Sequence, residues 1–453
     1  MARDNWKPIV QDHHEAYFHE PYDHLNLRNA CPGPDGKTFP FLKYYTTTPA
    51  THPIPQLGSY ELLNLSQPCM SYYQRYNPYI DIPTSTNWSQ YLNQCFKMHK
   101  QEQRSVIVMR AWQGYQWHRD DILNLRALII ELGLNTGGLF DIRILLEVKD
   151  GSAFRASEKE AQRVIDTVPE EFRSLVHLWS EHEMHGYYPG LSSVLDGNVI
   201  HGAYRGLFMA LQKFAVEHPE YDYFYNWEMD IRYTGNYYEF FSKTNTWARN
   251  EPFDPTMRRS QKYYIHEIHN WTSPTIPDDE EADLIQYGPI FDQIGSKWNF
   301  EKDVVGYENG TDTPRRAVII SASRLSRRLL LMMNHVNAEL KSSVAPEAFP
   351  ATVALHYGMK AIFVPHPVFI DKPWPPRTSH LLISLTFQVC WTNGSMRSIC
   401  SAKKICSRES HGTTALITPP ISTTAGATTR KRKQSTKFVD GRYSYIPSRM
   451  SGT

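Results

Sequence analysis

Two acidic residues in an aromatic segment have the spacing of a metal site. The segment reads Tyr221-Asp-Tyr-Phe-Tyr-Asn-Trp-Glu-Met-Asp230. Side chains alternate along a strand, so Asn226, Glu228 and Asp230 share one face and the large aromatic side chains share the other. Two carboxylates at the end of a strand can hold one divalent cation or a metal-bound diphosphate, and their hard oxygen atoms suit Mn²⁺ or Mg²⁺. The alternative is a surface carboxylate pair that neutralises Arg232 and other cations.

A second group of residues has the chemistry of an anion site. Ser321-Ala-Ser323 lies between a predicted strand and a predicted helix that begins at Arg324. Free backbone N–H groups at a helix start, followed by arginine, can bind phosphate. We therefore expect Ser323 and Arg324 to contact a diphosphate. The alternative is that the serines only cap the helix and the arginine faces solvent.

Three further residues follow predicted strands. Arg110 and Trp112 lie at the end of the first strand and are candidate nucleotide contacts, with a role at the edge of the core as the alternative. His366 follows the last strand and is a candidate third metal ligand, although a single histidine is more often an ordinary hydrogen-bonded residue. Asn226, on the face of the acidic pair, is also predicted to contact the nucleotide. No motif of a nucleophilic serine or cysteine is present.

The elements that must position these residues alternate between strand and helix. Residues 105–110 form an apolar strand, residues 119–134 a helix with apolar residues at three- and four-residue spacings, and residues 140–148 a second strand. A strand, a helix and a strand with short links form a βαβ unit and hence a parallel sheet. The pattern continues in residues 204–214 (helix), 221–230 (strand), 316–320 (strand), 324–340 (helix), 349–357 (helix) and 361–364 (strand). The expected fold is α/β and Rossmann-like, with a mostly parallel sheet and helices on both faces.

The regions on either side of this pattern differ from it in composition. Residues 1–104 are predicted to form an irregular arm, with a short helix near residues 88–100, that packs on the α/β domain of residues 105–371. Residues 372–453 are Ser/Thr-rich, with thirteen Lys and Arg against two acidic residues, a net charge of +11, and are predicted to be a disordered tail. The remaining 371 residues carry a net charge of −10, which argues against nucleic acid as the partner.

Other sequence features bear on the compartment. No apolar run has the length of a membrane span, and no signal peptide precedes the arm. The first three of the six cysteines allow one disulfide, whereas no pair has a metal-binding spacing. Five N-x-[ST] sequons exceed the two or three expected by chance and lean weakly toward the secretory pathway. The compartment is left open.

Several separated blocks resemble one family. These blocks are Asp120-Asp-Ile-Leu-Asn-Leu-Arg126, Val176-His-Leu-Trp-Ser-Glu181, His201-Gly-Ala-Tyr-Arg205, Asn226-Trp-Glu-Met-Asp-Ile-Arg-Tyr-Thr-Gly235, Ser321-Ala-Ser-Arg-Leu-Ser-Arg-Arg328 and His356-Tyr-Gly-Met-Lys-Ala361. Over roughly residues 20–371 the chain resembles the filamentous-fungal family known as domain of unknown function 3405. That family is in turn similar to metal-dependent glycosyltransferases of the GT-A fold, in which an acidic motif binds the metal and the diphosphate of a nucleotide sugar.

The resemblance implies particular roles and a compartment. It assigns the acidic motif to Glu228 and Asp230, Mn²⁺ or Mg²⁺ as the cofactor, a nucleotide sugar as the donor and a glycan or protein as the acceptor. Members often carry an N-terminal membrane anchor, which implies the Golgi lumen. The family also ends in a block rich in Trp, Tyr, Asn and Gly that is absent after Asp371, where the tail resembles misspliced or out-of-frame sequence. If the missing block closes the active site, the chain would be inactive or unstable.

The leading hypothesis is therefore a metal-dependent, glycosyltransferase-like enzyme. The alternative from a different class is a non-catalytic nucleotide- or carbohydrate-binding protein with a degenerate site. A metal-dependent phosphoesterase fits less well, because two adjacent metals demand more Asp and His ligands than the chain offers at motif spacing. The catalytic base, the donor sugar and the stereochemical outcome cannot be read from the residues.

Overall fold

The chain forms an α/β structure built around one large sheet. The computed structural model describes residues 29–39, 62–65, 72–99, 103–149, 157–192, 194–195, 198–233, 235–252, 280–288, 290–292, 303–318 and 321–366. The predicted tail, residues 372–453, lies outside the described residues, and the division of the chain into arm, domain and tail stays a prediction. In the described part of the chain, no helix is both long enough and apolar enough to cross a membrane.

Nine α-helices flank the sheet in the described part of the chain. They are α1 (Tyr72–Ile80), α2 (Trp88–His99), α3 (Arg119–Leu128), α4 (Glu158–Ile165), α5 (Glu181–Tyr187), α6 (Met209–Glu217), α7 (Tyr237–Asn250), α8 (Arg327–Ala338) and α9 (Phe349–His356). A π-helical turn, Ile129–Leu134, continues α3, and 3₁₀ turns span Glu170–Leu175 and Gly310–Asp312.

Seven strands form the large sheet. They are β1 (Ser105–Trp112), β2 (Phe140–Glu147), β3 (Val176–Trp179), β4 (Tyr223–Glu228), β5 (Leu284–Gln286), β6 (Ser323–Ser326) and β7 (Ala361–Phe363). Their order is β7-β5-β6-β4-β1-β2-β3. All neighbours pair in parallel except β6, which runs antiparallel to both β4 and β5. The prediction of an α/β fold with a mostly parallel sheet is confirmed.

Each face of the sheet is covered by its own apolar core. The alternation along β1 sends Ile107 and Met109 to one side and Val106 and Val108 to the other, and all four are at most 1% exposed. On the first side the core includes residues of α1, α2, α3 and α7. On the second side it includes residues of α6, α8 and α9. Helices therefore lie on both faces, as the strand and helix pattern indicates.

The N-terminal helices α1 and α2 pack onto the first face through buried polar contacts. Arg75 of α1 donates to Glu131 at 2.6 Å, and Arg126 of α3 binds Glu171 through two hydrogen bonds of 2.9 and 2.8 Å. Trp88 at the start of α2 also donates to Glu171, at 2.9 Å. The expectation of one disulfide among the first three cysteines is confirmed by a bond between Cys31 and Cys95 of α2.

The region between residues 316 and 326 differs from the prediction. Within the predicted strand 316–320, Arg316–Ala317 forms a strand, and it pairs with Phe291–Asp292 outside the large sheet. The segment predicted as the start of a helix is instead the antiparallel strand β6, and α8 begins three residues later with Ser326 as its N-cap. The polar sequence Ser-Arg-Leu-Ser shows no strand periodicity. Its strand conformation is set instead by pairing with β4 and β5.

Candidate functional site

The carboxyl ends of the central parallel strands meet at one edge of the sheet. In the register of β1 with its neighbours, Arg110 lies opposite Glu228 of β4 and Trp112 lies opposite Glu147 of β2. Ligands of open α/β sheets bind outside the carboxyl ends of the strands. This edge, here called the carboxyl edge, therefore holds the candidate site.

The predicted acidic pair lies at this edge. Glu228 is the last residue of β4, and Asp230 follows in a turn closed by a hydrogen bond from the Ile231 N–H to the Glu228 carbonyl at 3.2 Å. The neighbouring Trp227 and Met229 are 1% and 4% exposed and pack in the core of the first face. Because Trp227 and Met229 face the first core, the carboxylates of Glu228 and Asp230, which alternate with them along the chain, face away from it.

Arg232 holds the backbone of the turn that carries Asp230. Its guanidinium donates to the carbonyl groups of Met229 and Ile231 and pairs with Asp121 in the first turn of α3. The guanidinium is buried, and Asp121 is a direct carboxylate partner. Arg232 thus positions the backbone that carries Asp230. The alternative, a carboxylate pair that neutralises Arg232 and other cations, stays a hypothesis, and Glu228 does pair with one cation, Arg110.

Glu228 accepts two donors at the same oxygen. Arg110 Nη2 lies 2.7 Å from Glu228 Oε1, Ser321 Oγ donates to the same oxygen, and Arg110 Nη2 also lies 2.9 Å from Ser321 Oγ. The side chains of Arg110 and Glu228 are 25% and 35% exposed, so the group is open to solvent. Arg110 and Ser321, which lie 118 and 93 positions from Glu228 in the chain, thus converge on its carboxylate.

Asp230 combines an exposed side chain with a crowded environment. Its side chain is exposed to solvent, yet protein surrounds it closely enough that desolvation, followed by the negative charge of Glu228, raises the pKa of Asp230 to about 7. Two carboxylates in this arrangement repel each other, and a bound cation would relieve that repulsion.

Glu347 is a carboxylate near this site that the sequence did not single out. It lies in the loop before α9, and its Oε2 is buried without a hydrogen bond in the described part of the chain. Burial raises the pKa of Glu347 to about 7, against the lowering effect of Arg205 and Arg110. No motif surrounds Glu347 in the sequence, because only the tertiary fold brings this loop within electrostatic reach of Arg110.

Aromatic side chains border the site at the end of β1. The ring centroid of Trp112 lies 4.8 Å from that of Tyr115 in an edge arrangement, and Tyr115 lies 5.2 Å from Trp117 in another. All three side chains are half-buried. Trp112 therefore lies where the sequence expects it, next to Arg110 at the carboxyl edge, within a wall of aromatic rings.

Asn226 and Ser323 lie behind the site. Both are fully buried, and both donate to the Ser321 carbonyl, from Asn226 Nδ2 at 2.7 Å and from Ser323 Oγ at 3.1 Å. These hydrogen bonds orient the segment that presents the Ser321 hydroxyl to Glu228. The contacts support a positioning role for Asn226 and Ser323, whereas Ser321 itself reaches the carboxyl edge.

Arg324 lies away from the acidic pair, contrary to the predicted anion site. Its guanidinium is 4.2 Å from the Tyr223 ring centroid and donates to the Ala282 carbonyl at 2.6 Å. Tyr223 begins β4 and Glu228 ends it, so the two positions are about 16 Å apart at roughly 3.3 Å per residue. Because β6 runs antiparallel, it carries Arg324 and the start of α8 to the opposite edge of the sheet.

His366 does not join the acidic pair as a metal ligand. Its side chain is 3% exposed, its Nε2 lies 2.8 Å from the Tyr287 carbonyl, and its ring packs against Phe240. Among the described residues, the one group of three or more His, Cys, Asp or Glu with metal-ligand spacing is Cys31, Cys95 and His99, whose cysteines are joined in the disulfide. The contact with the Tyr287 carbonyl fits the interpretation of His366 as an ordinary hydrogen-bonded residue.

The donor atoms at the carboxyl edge nevertheless fit Mn²⁺ or Mg²⁺. Glu228 and Asp230 offer hard carboxylate oxygens, and the Ser321 hydroxyl lies beside them. Mg²⁺ sites in enzymes of phosphate chemistry commonly use one or two carboxylates, with water and substrate phosphates completing the shell. Among the described residues, no third His, Cys, Asp or Glu lies within metal-ligand spacing of this pair, which is compatible with such an open site.

Comparison with known proteins confirms the family part of the resemblance. The chain matches no curated protein. The model of a protein family described as "Protein of unknown function (DUF3405)" matches residues 74–274 and 271–384, which together span more than half of the chain and include every residue of the carboxyl edge. The chain therefore belongs to the DUF3405 family of proteins of unknown function.

Proposed function

We propose that this chain is a glycosyltransferase-like enzyme that transfers a sugar from a nucleotide-sugar donor with the help of Mn²⁺ or Mg²⁺. The observation that carries the proposal is the acidic pair Glu228 and Asp230 at the carboxyl edge, with Arg110 and Ser321 converging on Glu228. A similarity to the GT-A fold is part of the proposal. It is supported by the mostly parallel sheet and by the location of the acidic pair at the end of a central strand.

Each residue has a role in this proposal. Glu228 and Asp230 would hold the cation, which supplies charge neutralisation for a diphosphate leaving group. Arg110 would exchange its ion pair with Glu228 for the diphosphate oxygens and add positive charge where negative charge develops. Trp112 and the aromatic wall beside it would pack against the nucleotide, and Asn226 and Ser323 would keep Ser321 in place.

One observation favours a second function. Arg110 and Ser321 already saturate one oxygen of Glu228, as they would in a site that has lost its metal. A non-catalytic nucleotide- or carbohydrate-binding protein would then use the aromatic wall and Arg110 without turning over the donor. Calorimetry with a nucleotide sugar separates the two functions, because binding without release of a nucleoside diphosphate contradicts the enzyme.

The direct test is Mn²⁺-dependent release of nucleoside diphosphate from a panel of nucleotide sugars. The matched pair of variants is Asp230→Asn at the carboxyl edge and Glu220→Gln, an exposed acid before β4 at the opposite edge. We expect turnover in the wild type and in Glu220→Gln, and a loss of at least about 100-fold in Asp230→Asn. Equal turnover in the two variants would remove the acidic pair from the mechanism.

A further inference from the structure

A buried disulfide ties an irregular segment to the core. Cys31 and Cys95 are 2% and 0% exposed and join positions 64 residues apart. Cys31 belongs to the segment 29–39, which contains no helix or strand of the large sheet. The segment is also held by a hydrogen bond from Cys31 N–H to the Leu134 carbonyl at 2.9 Å and by the contact of Phe39 with Tyr79. The disulfide is thus the covalent anchor of this segment.

Such a bond requires an oxidising compartment. Glutathione and thioredoxin keep cytosolic thiols reduced, whereas disulfides form and persist in secretory compartments. Closing the bond between Cys31 and Cys95 removes two protons and two electrons, which a protein disulfide oxidant takes up as it becomes a dithiol. The packing of both sulfur atoms in the core agrees with formation of the bond during folding in such a compartment.

A sequon lies on an exposed turn of the same molecule. Asn309, Gly310 and Thr311 form the sequence Asn-Gly-Thr, and both Asn309 and Thr311 are exposed. Gly310 has a φ of 49° and no atom within 4 Å of the position of a β-carbon, so the turn faces open space. No side-chain hydrogen bond of Asn309 occurs among the residues that the structure describes, which leaves its amide nitrogen accessible.

A second exposed sequon begins at Asn87, before α2. Asn87 Oδ1 accepts hydrogen bonds from Ser174 Oγ at 3.0 Å and from Ser89 Oγ, the hydroxyl of the sequon, at 3.2 Å. These contacts engage the oxygen of the amide and leave the nitrogen toward solvent. Asn64, the third sequon asparagine in the described part of the chain, is exposed as well.

We propose that this chain folds in the oxidising lumen of the secretory pathway and carries an N-linked oligosaccharide on Nδ2 of Asn309, with Asn87 as a second acceptor. In the transfer, the amide nitrogen forms a bond to the anomeric carbon of an oligosaccharide linked to a lipid diphosphate. The bond from that carbon to the phosphate oxygen breaks, the lipid diphosphate leaves, and the amide proton passes to a base of the transferring enzyme. The proposal does not depend on the chemistry at Glu228 and Asp230.

The test is peptide mass spectrometry on the full chain isolated from its source cells in the presence of an alkylating agent. We expect Cys31 and Cys95 to resist alkylation until they are reduced. We expect the peptide that contains Asn309 to carry a glycan, and Asn309 to be read as Asp after enzymatic removal of that glycan. Free, alkylated Cys31 and Cys95, or an unmodified Asn309 in the folded protein, would overturn the proposal.

A matched pair of variants tests the sequon itself. Thr311→Ala keeps Asn309 but removes the hydroxyl that the sequon requires, whereas Thr311→Ser keeps a hydroxyl. Expressed in the same cells, Thr311→Ala should lose the glycan at position 309 and Thr311→Ser should retain it. A glycan at position 309 in both variants, or in neither, would contradict N-linked modification at this sequon.

Discussion

Charged side chains are arranged differently on the first face of the sheet and at its carboxyl edge. On the first face, the carboxylate of Glu171 is buried and receives the guanidinium of Arg126 and the indole N–H of Trp88. At the carboxyl edge, Glu228 and Asp230 are open to solvent and crowd each other, and Glu347 keeps one oxygen without a hydrogen bond. Fully paired carboxylates hold the N-terminal helices, whereas the carboxylates of the carboxyl edge keep oxygen atoms open to solvent, as the proposed metal site requires.

The largest expected effect comes from removing the buried carboxylate of Glu171 on the first face. Glu171→Ala would leave the buried Arg126 guanidinium without its partner and should lower the free energy of unfolding by about 3–5 kcal/mol. Urea unfolding measures the change. The neighbouring exposed Glu170 provides the control, since Glu170→Ala should change stability by less than about 0.5 kcal/mol. Equal losses of stability in Glu171→Ala and Glu170→Ala would show that the buried contacts of Glu171 do not stabilise the fold.

The disulfide on the same face should contribute nearly as much to the free energy of unfolding as the contacts of Glu171. Replacing both cysteines, Cys31→Ser with Cys95→Ser, releases a loop constraint of 64 residues and should cost about 4 kcal/mol from the chain entropy of the unfolded state. Thermal unfolding under non-reducing conditions measures the loss, and the wild type under reducing conditions is the control. A variant as stable as the oxidised wild type would contradict the anchoring role of this bond.

Changes at the carboxyl edge should affect function more than stability. Glu228→Gln keeps the shape of the side chain but removes the charge, so we expect a change of less than about 1 kcal/mol in stability at this partly exposed ion pair. Mn²⁺ affinity should fall by at least about 10-fold, because a neutral amide is a weaker ligand than a carboxylate. A large loss of stability with unchanged Mn²⁺ binding would make Glu228 a structural residue.

The remaining expected effect is a pH dependence of stability that comes from Asp230. Burial raises the pKa of Asp230 from its ordinary value of 3.8 to about 7 in the folded protein, so the folded protein holds more protons than the unfolded chain between these values. Stability from this group is therefore present at low pH and is lost as the pH rises from about 4 to 7. The Asp230→Asn variant should lack this loss, and the difference in unfolding free energy between variant and wild type should grow with pH. A constant difference would contradict the raised pKa.

Much of the fold follows from local pattern, and the exceptions are nonlocal. The elements β1, β2, β4, α9 and β7 occur where apolar runs and helical spacings predict them. The strand β6 was missed because its four residues, Ser323–Ser326, have no apolar alternation and are fixed by partners far along the chain. The start of α8 was misplaced for the same reason, which moved Arg324 from the predicted site to the opposite edge.

The site was predictable to the extent that it lies within one segment. The alternation of Tyr225, Asn226 and Trp227 indicates which way Glu228 faces, and the end of the strand gives its edge of the sheet. Ser321 reaches this edge, and Glu347 comes within electrostatic reach of Arg110, through segments whose paths depend on tertiary packing. His366 follows β7, which lies three strands from β4 in the sheet, and a histidine after a strand gives no information about that distance.

The most direct test of this account is a titration of Mn²⁺ by electron paramagnetic resonance, with and without a nucleoside diphosphate. The account predicts that the wild type and Glu220→Gln bind Mn²⁺ and bind it more tightly with the nucleotide, whereas Asp230→Asn loses both effects. Equal binding of Mn²⁺ by Asp230→Asn and the wild type would contradict the assignment of the carboxyl edge as the functional site.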